Sequence, residues 1–202
     1  MESFTHDARV VITMTRKNAR ARPRLALVFG CTFLVFLGVA LGGCTRDVWW
    51  HRHELVTEEE AGRALEWAMT QLDAPYLWGG REPPAFDSSG IITWSYRQAL
   101  GKLRLRYGSL VVHDLPHRDI YRWNFERLPL EALRPGDLVY ITNGTAEVTH
   151  GAMFVRWVEP YSLMEFLDAS TTQQKVVIQA WPVDEEVRGQ RFVAAGRLKV
   201  VR

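Results

Sequence analysis

The run Asp87-Ser88-Ser89-Gly90 puts a hydroxyl where side chains are usually on display, because a polar loop there runs straight into Ile91, Ile92 and Trp94, as at a helix N-terminus. Just before it, Tyr76 and Trp78 lead into Gly79-Gly80, a pair that marks a tight approach of backbone. Ser88 therefore has two readings. As an N-cap it would accept a backbone N–H two or three residues on, a bond worth about 1 kcal/mol. As a nucleophile it would lose its proton during attack, which requires a base at about 2.6–3.2 Å and donors for the oxyanion.

The other chemistry-bearing residues are sparse. His51 and His53, beside Arg52, read as a solvated linker in preference to a metal pair. His113 and His117 flank Asp114-Leu115-Pro116 and read as surface or cleft-rim residues, not as metal ligands. On local sequence His150 is a lone histidine at the start of a strand, and Asp168 before Ala169-Ser170 simply ends one. No metal site and no cofactor is expected.

The elements that would carry these residues are legible in outline. Thr57-Glu58-Glu59-Glu60 is a capping box followed by Ala61, Ala64, Leu65, Ala68 and Leu72 at helical spacing, predicting a helix of about four turns. Asp87–Gly101 predicts a second helix that stops at Gly101. Residues 102–135 read as an irregular segment or short helix. After Gly136 the period shifts toward two, over 137–142, 149–158, 163–168, 175–181 and 191–201, with Asn143-Gly144-Thr145 as a hairpin turn. Helices followed by about five strands predict an α+β fold with an antiparallel sheet over residues 56–202.

The first 43 residues read as a targeting segment. Arg16, Lys17, Arg20, Arg22 and Arg24 precede the uncharged stretch Leu25–Val39, and Leu41-Gly42-Gly43-Cys44 closes it. This resembles a bacterial lipoprotein signal peptide, which implies a lipidated Cys44 as the mature N-terminus and a membrane anchor. A plain transmembrane anchor is the alternative, but the apolar and small residues from Leu25 to Gly43 sit at the short edge of a span of about 20 residues. The basic run begins well into the chain, so Met14 is a candidate start. Thr45 follows Cys44 where an inner-membrane retention Asp would stand, which points to the outer membrane and a periplasmic domain. Residues 44–55 form a tether, with Trp49 and Trp50 at headgroup level.

Without residues 1–43, six basic and two acidic residues are gone, leaving 19 basic against 21 acidic. Nothing in that balance suggests nucleic acid as a partner. The two cysteines are Cys31, in the apolar signal core, and Cys44, so the remainder has neither a disulfide nor a thiolate. A nucleophile there must be something else.

Five ordered segments carry a family resemblance: Ala74–Gly80, Phe86–Ile92, Leu133–Val139, His150–Met153 and Phe166–Ser170. Together they resemble the NlpC-like family of papain-like cell-wall endopeptidases, which cut peptidoglycan stem peptides. The resemblance implies a papain-like fold and envelope location, with Ser88 at the nucleophile position, His150 as its base and Asp168 orienting the imidazole. It further implies Tyr76 as a cleft wall and oxyanion-side donor, with Asp87 and Ser89 holding the stem peptide's free amine. The family's Asp-Cys-Ser-Gly motif is here Asp87-Ser88-Ser89-Gly90. Two functions follow: a peptide hydrolase using serine, or a catalytically silent member that binds stem peptides or an envelope protein. A related acyl- or amide-transferring enzyme is a third.

Overall fold

The computed structural model describes residues 52–144 and 147–202. The expected signal segment, Cys44 and the tether residues Trp49, Trp50 and His51 lie outside the described residues.

The helices begin where the sequence places them, though the first ends at Met69, short of Leu72, which is exposed. Helix α1, Glu58–Met69, opens on the full capping box: Thr57 N–H donates to Glu60 Oε2 at 2.8 Å and Glu60 N–H to Thr57 Oγ1 at 3.1 Å. It buries Ala61, Ala64, Leu65 and Ala68. Helix α2, Ser88–Leu100, ends at Gly101 with φ of 69°, the left-handed cap that glycine takes without strain. The two helices meet edge-to-face through Trp67 and Trp94, ring centroids 6.0 Å apart.

The sheet has seven strands, two more than expected. It runs β1 (His53–Leu55), β11 (Arg191–Val201), β7 (Leu138–Thr142), β8 (His150–Glu159), β9 (Leu163–Ser170) and β10 (Lys175–Pro182), with β6 (Phe125–Arg127) also on β11; every pairing is antiparallel. The strands missed in sequence, β1 and β6, have three residues each, too few for a period of two to show. Because β1 pairs with β11, His53–Leu55 belong to the folded body rather than to a tether. Two ribbons lie outside the sheet: β2 (Arg81–Glu82) with β3 (Ala85–Phe86), and β4 (Leu105–Tyr107) with β5 (Leu110–Val112). Between β5 and β6 comes the seven-residue helix α3, His117–Trp123.

Strand β7 is buried on both faces, and its alternation divides the core. Leu138 and Tyr140 pack with Ile91, Ile92, Tyr96, Met153 and Leu167 on the helix side. Val139 and Ile141 pack with Phe154, Phe166 and Trp181 on the other.

The turn Arg134-Pro135-Gly136-Asp137 locks α1 to the sheet. Asp137, wholly buried, receives Arg197 Nε at 2.7 Å and Nη2 at 3.0 Å, and the Arg134 N–H at 2.8 Å. Gly136 has φ of +92°, its carbonyl accepts the Tyr96 hydroxyl at 2.8 Å, and a Cβ there would lie 1.9 Å from the Ala61 carbonyl oxygen. Backbone strain and helix displacement add up, so Gly136→Ala should lower stability by ~3 kcal/mol or more, read as a fall in the urea midpoint. An unchanged midpoint would show that α1 is not held at this turn.

Candidate functional site

The site is built where the first turn of α2 meets the loop 73–80 and the start of α3. Asp87, not Ser88, caps α2: its Oδ1 accepts the Gly90 N–H at 2.7 Å and the Ser89 hydroxyl at 2.9 Å, and its Oδ2 accepts the Gly79 N–H at 3.0 Å. The cap reading of Ser88 is thereby replaced. Ser88 is the first helical residue, and its hydroxyl is not needed by the backbone.

Arg81 binds the same carboxylate. Its Nη1 donates to Asp87 Oδ1 and, at 2.8 Å, to Ser89 Oγ, while its Nε meets Asp114 Oδ2 at 2.8 Å. Thr93 Oγ1 donates to Asp114 Oδ1 at 3.0 Å, so the ion-pair cluster is pinned to the body of α2. Asp87 and Ser89 are only 8% and 4% exposed, and their polar groups hold this internal guanidinium.

The hydroxyl of Ser88 lies 2.9 Å from His117 Nε2. His117 was expected at the surface or cleft rim; the structure buries it instead, 7% exposed, because α3 lays its first residue against β7 and β8. Gly151 makes the room, since a Cβ there would stand 2.6 Å from His117 Nδ1. Among the described residues, that Nδ1 has no hydrogen-bond partner. Burial holds the imidazole well below its ordinary value, with His150 and Arg81 pushing the same way. His117 is the residue that sequence reasoning passed over, and only the motif-like run His113–His117 pointed to it.

His150, at the start of β8, faces Asp168 on β9. Its Nε2 is 2.8 Å from Asp168 Oδ2, and Gln179 on β10 donates to Asp168 Oδ1 at 2.8 Å. The carboxylate is 1% exposed with a donor on each oxygen, so the His150 ring is fixed and Nε2 carries its proton. The His150 and His117 ring centroids are 5.8 Å apart, nearly edge to face. Among the described residues the hydrogen bonds join Ser88 to His117 and His150 to Asp168, and none joins Ser88 to His150.

Two hollows flank these rings. One, about 240 Å³, is lined by Tyr76, Trp78, Asp87, Ser88, Ser89 and His117. The other, about 230 Å³, is lined by His150, Asp168, Gln179, Trp181 and Arg188 among others. The structure thus brings Tyr76, Asp87 and Ser89 to Ser88, and leaves His150 and Asp168 on the adjoining side. Burial and the Asp87 carboxylate push the Tyr76 phenol up, which keeps it a donor. Trp78 is 86% exposed on the rim.

A half-buried hydroxyl at a helix N-terminus, packed against an antiparallel sheet that carries a histidine–carboxylate pair, makes this an α+β protein with a polar cleft at the helix start. The chain belongs to the NlpC/P60 family, whose model matches residues 73–197. The chain is 27% identical over 150 residues to the murein DD-endopeptidase MepH of Escherichia coli, covering 72% of this chain and 49% of that protein. It is 53% identical over 32 residues, 16% of this chain and 8% of the other, to the probable endopeptidase Rv2190c of Mycobacterium tuberculosis. The chain therefore spans about half of one of these relatives and a small part of the other. The structure of NlpC1 from Trichomonas vaginalis matches with a TM-score of 0.52 at 21% identity, over 75% of this chain and 48% of that one, a likeness of fold.

The buried imidazole makes stability depend on pH with a defined sign. His117 is lowered in the folded state from 6.5, so the unfolded chain binds the extra proton first. Its contribution is complete above that value and is lost as pH falls below it, at up to about 1.4 kcal/mol per pH unit. Urea titrations at several pH values should show this slope in the natural protein and a smaller one in His117→Gln. Equal slopes would mean that His117 is not held neutral by the fold.

Proposed function

We propose that this chain is a lipid-anchored cell-envelope hydrolase of peptidoglycan stem peptides in which Ser88 is the nucleophile, His150 the base and Asp168 the group that orients it. What supports the reading is one continuous line of contacts, Ser88 to His117, His117 to His150 and His150 to Asp168, lying in the family's domain. The relative named a murein endopeptidase points to peptidoglycan as the substrate.

The chemistry follows from acidity. Where this family's pattern carries a cysteine, the chain carries a hydroxyl, which cannot rest as the anion in the way that a thiol of pKa ~8.5 lowered at a helix N-terminus can. Ser88 Oγ therefore attacks the carbonyl carbon as its proton leaves for His150, whose Nε2–H is held by Asp168 and whose Nδ1 is the nitrogen available to accept. The C–O bond forms, the carbonyl π bond opens, and Tyr76 is the donor on that side. Collapse breaks the peptide C–N bond, with His150 returning the proton to the departing amine; water then releases the acyl group by the same route.

Peptide recognition falls to Tyr76, Trp78, Asp87 and Ser89. Because Arg81 already occupies Asp87 and Ser89, a substrate amine reaches that carboxylate by displacing the guanidinium. The competing reading is a cleft that binds stem peptides without cutting them. It is favoured by the engagement of Ser88 with His117 rather than with the His150–Asp168 pair.

The two readings separate on the full-length protein in detergent. Soluble fragments should be released from purified peptidoglycan, and Ser88→Ala should lower that release at least ~10³-fold, while peptidoglycan pull-down is retained. Pull-down without release by the natural protein would establish the binder.

Envelope anchoring is tested separately. Fatty-acid labelling and membrane retention should be lost in Cys44→Ala and kept in Cys31→Ala. Label persisting in Cys44→Ala would refute lipidation at that residue.

A further inference from the structure

We propose that His117 is a neutral hydrogen-bond donor to the Ser88 oxygen, holding that oxygen in place and leaving the hydroxyl's own proton free for a different base. The inference rests on the hydrolase reading above and adds a residue to it. It begins from geometry: His117 Nε2 and Ser88 Oγ are 2.9 Å apart, and the other ring nitrogen, Nδ1, is buried without a partner among the described residues.

One proton must be assigned to that ring. With the proton on Nδ1, a buried N–H would point at no acceptor, and Nε2 would take the serine's proton as a base. Accepting it would create an imidazolium whose Nδ1–H is still orphaned, beside Tyr140 of β7, His150 of β8 and the charged Arg81 guanidinium of β2. On its own helix Asp119 is turned to Arg118, at 3.9 Å. No carboxylate hydrogen-bonds His117 among the described residues. With the proton on Nε2, only a lone pair is left unpartnered, and the N–H meets Ser88 Oγ. The second arrangement leaves the smaller unpaired group and needs no buried charge.

The two imidazoles then have different tasks, set by their neighbours. His150 has Asp168 to stabilise the charge it acquires; His117 has none and stays neutral. A neutral imidazole can still stabilise a neighbouring oxygen, as a donor that needs no proton exchange. At attack, the Ser88 O–H bond breaks, its proton goes to His150, and the O–C bond to the substrate forms while His117 Nε2–H keeps Oγ in place. In the release of the acyl group, the C–Oγ bond breaks, Oγ is the leaving atom, and the same N–H stabilises its charge until His150 returns a proton. His117 begins and ends each step neutral, so the protons balance through His150 alone.

This arrangement answers the weakness of a hydroxyl in such a cleft. A serine oxygen is free to rotate about χ1, and its acidity is low; a fixed donor restricts the rotation and stabilises the developing charge. The packing is arranged for it. Gly151 leaves the space the ring fills, and Asp87 takes over the capping role that would otherwise draw the Ser88 hydroxyl to the backbone.

The decisive measurement is the tautomer of His117 in the full-length, 15N-histidine-labelled protein, with the signal assigned by its loss in His117→Gln. We expect Nε2–H and a neutral ring throughout about pH 6.5 to 8, and a shifted Nε2 signal in Ser88→Ala. An Nδ1–H tautomer, or a ring that charges within that range, overturns the proposal whether or not the protein turns over. Kinetics on purified peptidoglycan give a second reading. His117→Phe should lower kcat roughly 10²-fold with little change in KM, and His117→Gln, whose amide can donate, should recover most of that loss. Glutamine as inactive as His150→Ala would make His117 the base instead, and unimpaired His117→Phe would remove it from the reaction. If the natural protein releases nothing, the hydrolase reading fails, and the tautomer still decides the pairing of His117 with Ser88.

Discussion

The carboxylate of Asp87 is the point on which the site depends. It ties together four donors from three places in the chain: the Gly79 N–H of the loop, the Gly90 N–H and Ser89 hydroxyl of α2, and the Arg81 guanidinium of β2. A buried carboxylate is tolerated only when such donors surround it. Here those donors also fix geometry. Capping by Asp87 sets where α2 begins, which makes Ser88 the first helical residue, and the bond to Gly79 N–H holds the loop that carries Tyr76 and Trp78. Arg81 extends the cluster to Asp114 and so toward α3, where His117 begins. Removing the carboxylate would loosen the helix start, the aromatic rim and the approach of His117 together.

The second constraint is that two imidazoles 5.8 Å apart, both enclosed by protein, cannot both carry charge without large cost. The fold resolves this by distributing partners unequally. His150 has a carboxylate that is itself braced by Gln179 from a third strand. His117 has a glycine, two aromatic rings and a hydroxyl. A carboxylate therefore faces one ring and not the other, and sheet order determines which, because β8, β9 and β10 deliver His150, Asp168 and Gln179 side by side.

How much of this could be read in the sequence depended on the range of the interaction involved. The capping box at Thr57 and Glu60, the stop at Gly101 and the period-two strands are set by neighbours a few residues away, and they stand where expected, with β9 and β10 each running slightly longer. β1 and β6 were invisible because three-residue strands exist only by pairing with β11. At Asp87-Ser88 two good caps are adjacent, and local rules cannot choose between them; Gly79 and Arg81 decide it from outside the helix. The family resemblance placed Asp168 with His150, which are hydrogen-bonded here. His117 was read as a surface or cleft-rim residue because its segment looked irregular, and its burial comes from Gly151, more than thirty positions on, having no side chain.

That burial has a thermodynamic consequence. An unpaired buried polar atom costs on the order of 1–3 kcal/mol, and two lie close together beneath the cleft: His117 Nδ1 and the Tyr140 hydroxyl, on rings 6.1 Å apart. Tyr121 and Phe125 meet Tyr140 edge to face at 5.1 and 5.0 Å, so aromatic rings close the side away from Ser88. A phenylalanine at 117 would fill much of the same space without leaving Nδ1 unpaired. Stability alone thus gives no reason for an imidazole at this position, whereas the 2.9 Å contact to Ser88 does. Local rules broken without structural gain concentrate where a protein does its chemistry. Here the broken rule and the displayed hydroxyl meet at one hydrogen bond.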